Sequence, residues 1–209
     1  MTMPAAAAES PTKPRKEEIL DVATALFAER GFEGTSMNDV AERAGMRKAS
    51  LFYHFATKDA LYEGVLDRLI SRLAVPLAAA YSSDGTFPER LDSAADAVVS
   101  VLGESPFAAR LLLREAMDWG PVMRGTLVDN VLFVLEGGAA FVRAGQEAGA
   151  FVEGDPKQLV LTALGAHVLP FAVGQLVERF VGKDPFDPRF VAERRLALRA
   201  QVRDMIVRR

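Results

Sequence analysis

The chain has no cysteine. Disulfide frameworks, thiolate zinc sites and cysteine nucleophiles are therefore excluded. Its two histidines, His54 and His167, lie too far apart in sequence to form a local metal motif. Net charge is also scarce: 25 Lys+Arg against 28 Asp+Glu leave −3. Nothing global points to nucleic acid, so such a partner must be argued from local charge and a motif. No nucleophile–base pair, phosphate loop or paired-carboxylate motif is visible, so no enzyme, catalytic residue, metal or cofactor is expected. What is present is a chain of 209 residues, half of it hydrophobic and a quarter charged. That is the balance of a globular protein long enough to bury a core.

Residues 1–13 are rich in Ala and Pro and lack the basic region and long apolar stretch of a signal peptide. They read as a disordered tail on a cytoplasmic protein. The stretch from Leu159 to Leu176 is mostly apolar, but Thr162, His167, Pro170 and Gln175 interrupt it. A membrane span wants roughly 20 apolar residues. A buried interface helix is the better reading, and no membrane partner is expected.

Helical periodicity runs throughout, and no convincing strand alternation appears. Prolines, glycines and caps place helices near 14–30, 37–44, 48–54, 58–81, 88–103, 106–118, 126–147, 155–181 and 188–207. Pro76 should kink the fourth. The fold class is all-α.

The informative block is Gly34 to Leu61. Two short helices flanking Gly45 match a helix-turn-helix. Ser36 is the N-cap of the first, with Asp39 completing a capping-box variant. Thr57 caps the fourth helix. Val40, Ala44, Met46 and Leu51 fall where the two short helices must meet, and Gly45 can take the positive φ of a tight turn. On a 100° wheel, Leu51, Phe52 and Phe55 should face the core. Ala49, Ser50, Tyr53 and His54 face outward. Hydroxyls can bond phosphates or base edges, and a small Ala can touch a thymine methyl. From Met46 to Lys58 there are three cations, Arg47, Lys48 and Lys58, and no acid. Lys13, Arg15 and Lys16 add charge before the first helix.

These residues resemble the TetR (tetracycline repressor) family of bacterial transcriptional regulators. The likeness runs through Ile19–Ala23, Leu26–Phe32, Gly34–Ser36, Val40–Gly45, Leu51–Phe55 and Lys58–Leu61. It implies a three-helix DNA-binding head over 14–60 and a ligand-binding and dimerisation domain over 61–209. It further implies a homodimer on a palindromic double-stranded operator, and a small-molecule effector. Thr35 and Ser36 would touch phosphate at the second helix. Arg47, Lys48, Ala49, Ser50, Tyr53 and His54 would face the major groove or its phosphates, and Lys58 would bind phosphate. Two departures stand out. Arg47 replaces the usual small hydroxyl cap, losing roughly 1 kcal/mol but adding a long donor. Ala49 stands where Gly is common.

The later helices carry the rest of the expectation. Leu198, Val202 and Met205 form a stripe on the final helix, and the preceding helix is apolar nearly all round, with Ala163 and Ala166 among its small residues. A four-helix bundle with a second subunit would cover both, and an intramolecular core is the alternative. The final helix's arginines, from Arg194 to Arg209, read as a solvated rim. Phe107, Met117, Trp119, Phe133, Phe141 and Phe171 are candidates for a pocket that takes a large hydrophobic effector, joined by Arg110, Arg114 and His167. Ordinary core packing is the alternative for each. At the level of the whole chain, a helical carrier or sensor of apolar molecules without DNA binding stays open beside a ligand-released repressor.

Overall fold

The computed structural model describes residues 15–118, 125 and 127–208. Their helices are α1 (Arg15–Arg30), α2 (Met37–Arg43), α3 (Lys48–His54), α4 (Lys58–Ser82), α5 (Phe87–Gly103), α6 (Ala108–Asp118), α7 (Val128–Glu147), α8 (Pro156–Ala172), α9 (Gly174–Val181) and α10 (Pro188–Ile206). Among the described residues the only β geometry is an isolated bridge between Phe151 and Val207. The chain divides into two compact units, one ending at Tyr62 and one spanning Glu63–Arg209.

In the first unit, α1 buries Ile19, Ala23, Leu26 and Phe27, and Gly31 ends it at φ 76°. Ser36 caps α2. Its Oγ accepts from the Asp39 N–H, and its own N–H donates to the Asp39 carboxylate at 2.8 Å. Gly45 turns the chain at φ 60°. A Cβ there would meet nothing within 4 Å, so glycine serves the backbone conformation and not the space. Thr57 caps α4 through a 3.1 Å bond from the Ala60 N–H. Phe27, Phe32 and Tyr62 pack ring against ring.

In the second unit, α5 and α10 lie side by side. Arg203 grips Asp92, and Arg199 grips Asp96, along that seam. The expected solvated rim is thus largely bonded. Arg195 donates to Ser100 Oγ and Arg194 to the Ala166 carbonyl. Arg209 lies outside the described residues. The C-terminus is pinned through Val152 N–H to Ile206 O and Arg208 N–H to Ala150 O. Phe151 is buried there against Gly145, where a Cβ would stand 2.1 Å from its ring.

Two expectations are corrected. The single helix expected over 155–181 breaks at Val173, and its halves, α8 and α9, bend by 82°. The backbone leaves helical geometry at Val173 (φ −106°, ψ 36°), while α8 itself runs on past Pro170, which has no N–H for the carbonyl four residues back. That carbonyl, on Ala166, takes the Arg194 guanidinium instead, at 2.7 Å. No single helix among the described residues is long and apolar enough to cross a membrane; the bent α8–α9 pair reaches that length and composition only together.

The dimer stripe is the second correction. Leu198 is fully buried among Val99, Leu102, Ala109 and Phe171 of its own chain. Val202 and Met205 pack with Leu91, Phe141 and Phe151. Ala166 packs on the Leu198 cluster, and Ala163 lines a cavity. Periodicity identifies an apolar face without saying what covers it, and here the same chain covers it. The exposed apolar residues of these helices are others: Leu161, Leu164 and Leu169 on α8, Leu176 and Phe180 on α9, and Leu196 on α10.

Candidate nucleic-acid interface and cavity

Helix α3 follows Arg47, whose extended backbone (φ −71°, ψ 143°) occupies the N-cap without a side-chain cap bond. Leu51 and Phe55 are buried and anchor the helix. Ala49 and Ser50 are exposed, and His54 is half-buried. Tyr53 is 88% exposed and stands edge-on to His54. Phe52 departs from expectation: it is 39% exposed, with Lys48 Nζ 5.6 Å from its ring centre. It lies 100° round the helix from Leu51, at the margin of the buried face.

The cations of this unit sort into two groups. Arg43 binds Glu29 through two bonds, Arg30 lies 3.5 Å from Asp39, and Arg15 pairs with Glu18 and reaches the Ala44 carbonyl. Lys16 lies over the Phe55 ring. By contrast, Arg47 and Lys48 are exposed and make no ion pair among the described residues. Lys13 lies outside those residues. Uncommitted positive charge therefore gathers at the start of α3.

Three expected phosphate contacts are placed differently. Thr35 is buried, and its single hydroxyl proton faces the Leu26 and Gly31 carbonyls. Phosphate oxygens only accept, so that hydroxyl has no proton to offer them. Ser36 is exposed, but its hydroxyl donates to the Asp39 carboxylate at 2.5 Å. The Ser36 hydroxyl and N–H, with the charge of Arg30, hold the Asp39 carboxyl below its usual range. Lys58 turns inward, donating to the Phe32 carbonyl at 3.0 Å and lying 4.1 Å from that ring's centre.

The second unit holds a cavity of about 110 Å³ that is partly open to solvent. Of the expected pocket residues, Phe141 and His167 line it. Phe171 is packed core beside Leu198, and Met117 and Phe133 are 70% and 76% exposed. Phe107, Arg110 and Arg114 are half-buried and form no part of the wall. Trp119 lies outside the described residues. Aromatic enrichment does not separate a cavity wall from packed core. The missed wall residues include Leu77 and Tyr81 of α4, and small Ala94, Ala95 and Gly138. Small residues on facing helices leave room, and that was the available signal.

His167 is buried in this wall. Its Nδ1 lies 2.7 Å from the Ala163 carbonyl, and its Nε2 has no hydrogen-bond partner. Burial pushes its pKa down, the Ala163 bond opposes this, and the Arg194 charge adds to the lowering. Burial also raises the Tyr81 phenol. Among the described residues no group of His, Asp or Glu is arranged to hold a metal ion.

Comparison with known proteins adds the lineage. Residues 19–65 match the family model of bacterial regulatory proteins, tetR family. The HTH-type transcriptional regulator RutR of Escherichia coli (strain K12) is 28% identical over 160 residues, covering 76% of this chain and 75% of RutR. The HTH-type transcriptional repressor KstR2 of Rhodococcus jostii (strain RHA1) is 33% identical over 102 residues, covering 47% of this chain and 50% of that protein. The solved structure of the ketosteroid transcriptional regulator KstR2 of Mycobacterium tuberculosis shares the fold, with a TM-score of 0.77 at 21% identity over 95% of this chain and 97% of that one. The helix-turn-helix of residues 19–65 is thus that of the tetR-family model, and the fold of the chain as a whole is the one a solved transcriptional regulator adopts.

Proposed function

We propose that this protein is a DNA-binding transcriptional repressor that sits on a palindromic operator as a homodimer and is released by a small-molecule effector. The observation that carries the reading is the exposed face of α3, where Arg47 and Lys48 make no ion pair beside Ala49, Ser50, Tyr53 and His54. Arg47 clamps a phosphate or reads a guanine, and Ala49 meets a thymine methyl. Ser50, Tyr53 and His54 supply hydrogen bonds to base edges or phosphates. Ser36 contributes by fixing α2, and Thr35 and Lys58 hold the head together. The relatives' names, a regulator and a repressor, support the same direction.

The partner subunit is assigned to the exposed apolar residues Leu161, Leu164, Leu169 and Leu196 of α8 and α10. Such a face favours burial against a second copy of itself. For release, α4 supplies the link. It begins at Lys58 in the first unit, and its Leu77 and Tyr81 form part of the cavity wall in the second. A ligand that shifts this helix changes the separation of two recognition helices, which must stand about 34 Å apart to enter successive major grooves. A coupling of about 1–3 kcal/mol suffices.

The test is fluorescence anisotropy with DNA flanking the protein's own gene, at several salt concentrations. Operator-selective binding that weakens steeply with salt is expected. Tyr53→Ala should lose at least about tenfold in affinity while keeping its melting temperature and its dimeric mass. Unselective binding, or full affinity in Tyr53→Ala, overturns the reading. A carrier of apolar molecules explains the cavity but leaves the α3 face without a role.

A further inference from the structure

We propose that the cavity in the second unit takes the hydrocarbon end of an amphiphile, about four carbons of an aliphatic chain, and leaves the polar head of that molecule at the rim, in contact with water. This rests on reading the cavity as the effector site.

Three observations define the ligand. The first is size. The cavity measures about 110 Å³, whereas one of about 150 Å³ holds benzene in an engineered protein. At the same volume per carbon atom, the space takes about four carbons. Neither a whole aromatic ring nor the large hydrophobic effector expected from the aromatic residues fits inside it.

The second is the chemistry of the wall. No Lys, Arg, Asp or Glu forms part of it among the described residues, and its polar side chains are Tyr81 and His167. Nδ1 of His167 is engaged by the Ala163 carbonyl, and Nε2 has essentially no accessible surface. The Tyr81 hydroxyl lies against Gly138. A polar or charged group drawn inside would lose its hydration and find little to replace it. Methyl and methylene groups gain by leaving water.

The third is the opening. The cavity is partly open to solvent. Leu91 and Ala95 of α5 and Val202 and Ile206 of α10 form its closed end, and all four are buried. On α7 and α8 part of the wall keeps solvent contact: Val134, Leu135 and Val160 are half-buried, and Leu164 is 41% exposed. These four are apolar as well, so the rim adds hydrophobic surface and no charge. A molecule seated here has its hydrocarbon against α5 and α10 and its head beyond the rim. Leu164 also borders the apolar face of α8. A second copy seated on that face narrows the opening and leaves its character unchanged.

Straight-chain primary alcohols from ethanol to octanol test this on the full-length protein. Its methyl signals are followed by nuclear magnetic resonance, with Leu135 and Val160 as reporters of the site. Affinity should rise about fourfold with each carbon up to about four carbons, then by less than about twofold with each further one, because those carbons lie at the open rim. Hexanoate and pentanol carry the same five-carbon tail. They should bind within about threefold of each other, since the head stays in water. Ala95→Val adds two carbons to the closed end, so its gains should level off at about two while its melting temperature stays near that of the wild type. Fourfold gains that continue to octanol, hexanoate more than tenfold weaker than pentanol, or a levelling point that Ala95→Val does not move overturns the proposal and leaves the cavity as a binding site. Binding by none of the alcohols overturns the effector-site reading along with it. Binding that follows the expected series but leaves operator affinity unchanged overturns the effector-site reading alone.

Discussion

The two units turn and join their chain by different means. The first leans on devices within a few neighbouring residues, Gly31 and Gly45 at positive φ, the Ser36–Asp39 box and Thr57 over α4. Its longer hydrogen bonds, such as Lys58 to the Phe32 carbonyl and Arg15 to that of Ala44, span 26 and 29 positions. The second joins helices through partners far apart in sequence, such as Arg199 with Asp96, 103 positions away, and Leu198 with Val99 and Leu102. The difference has a functional side. Local turns allow a seven-residue helix to be held by little more than Leu51 and Phe55, which leaves most of its surface free for a partner. Long-range packing of several helices around small residues leaves a cavity between them, and α4 runs from one unit into the other.

The contrast is broken most severely in the second unit. Leu198→Asp puts a carboxylate into a fully buried site that offers it no counter-charge in its cluster. We expect a loss of more than about 4 kcal/mol, read as disappearance of the cooperative thermal transition. A surface change on the exposed apolar face, Leu169→Glu, should instead lower the dimer mass in sedimentation and keep the transition. If Leu198→Asp yields a folded monomer, then the stripe faces a second subunit after all.

The corresponding break in the first unit is smaller. Ser36→Ala removes the side-chain acceptor for the Asp39 N–H and one of that carboxylate's donors. Loss of an N-cap costs about 1 kcal/mol. Hydrogen exchange should show faster opening across α2 and α3 and unchanged protection in α5 and α10. Equal loosening of both sets would mean that the units do not keep separate stability.

This asymmetry also explains what could be read from the sequence. A cap or a glycine turn is decided by residues within four positions, so the α3 bounds and the Ser36 box were legible in full. Most helix bounds elsewhere fell within one or two residues of those expected. The break at Val173 was not, because what surrounds it comes from farther along the chain: Gly174, the first residue of α9, stands against Pro185 and Phe186. The Leu198 stripe was legible as a buried face, but its cover on α5 was not. Thr35 and Lys58 were legible as polar residues near an interface, yet their bonds to Leu26, Gly31 and Phe32 come from the fold of the loop between α1 and α2. Among the described pocket candidates, Phe141 and His167 alone met the cavity, since room inside a protein depends on which side chains are small.

The mildest way to sharpen the comparison is acidification, because it acts on buried and exposed groups at different pH. His167 in the folded second unit has a pKa below its ordinary 6.5, chiefly because burial disfavours the cation. The unfolded chain therefore takes up a proton there at a higher pH than the folded chain does. Where the unfolded state binds more protons, stability rises with pH. The contribution is thus complete above about pH 6.5 and is lost progressively as pH falls below that value toward the folded pKa. Asp39, in the first unit, has its folded pKa lowered by the Ser36 hydroxyl and N–H and by Arg30. Its contribution is present above the ordinary carboxylate range and fades only as pH falls through that range. Between pH 7.5 and 5, hydrogen exchange should show α8 opening more readily while α2 keeps its protection. His167→Phe should flatten the response in α8 and leave α2 unchanged. A response of α8 that persists in that variant would assign the sensitivity to another group.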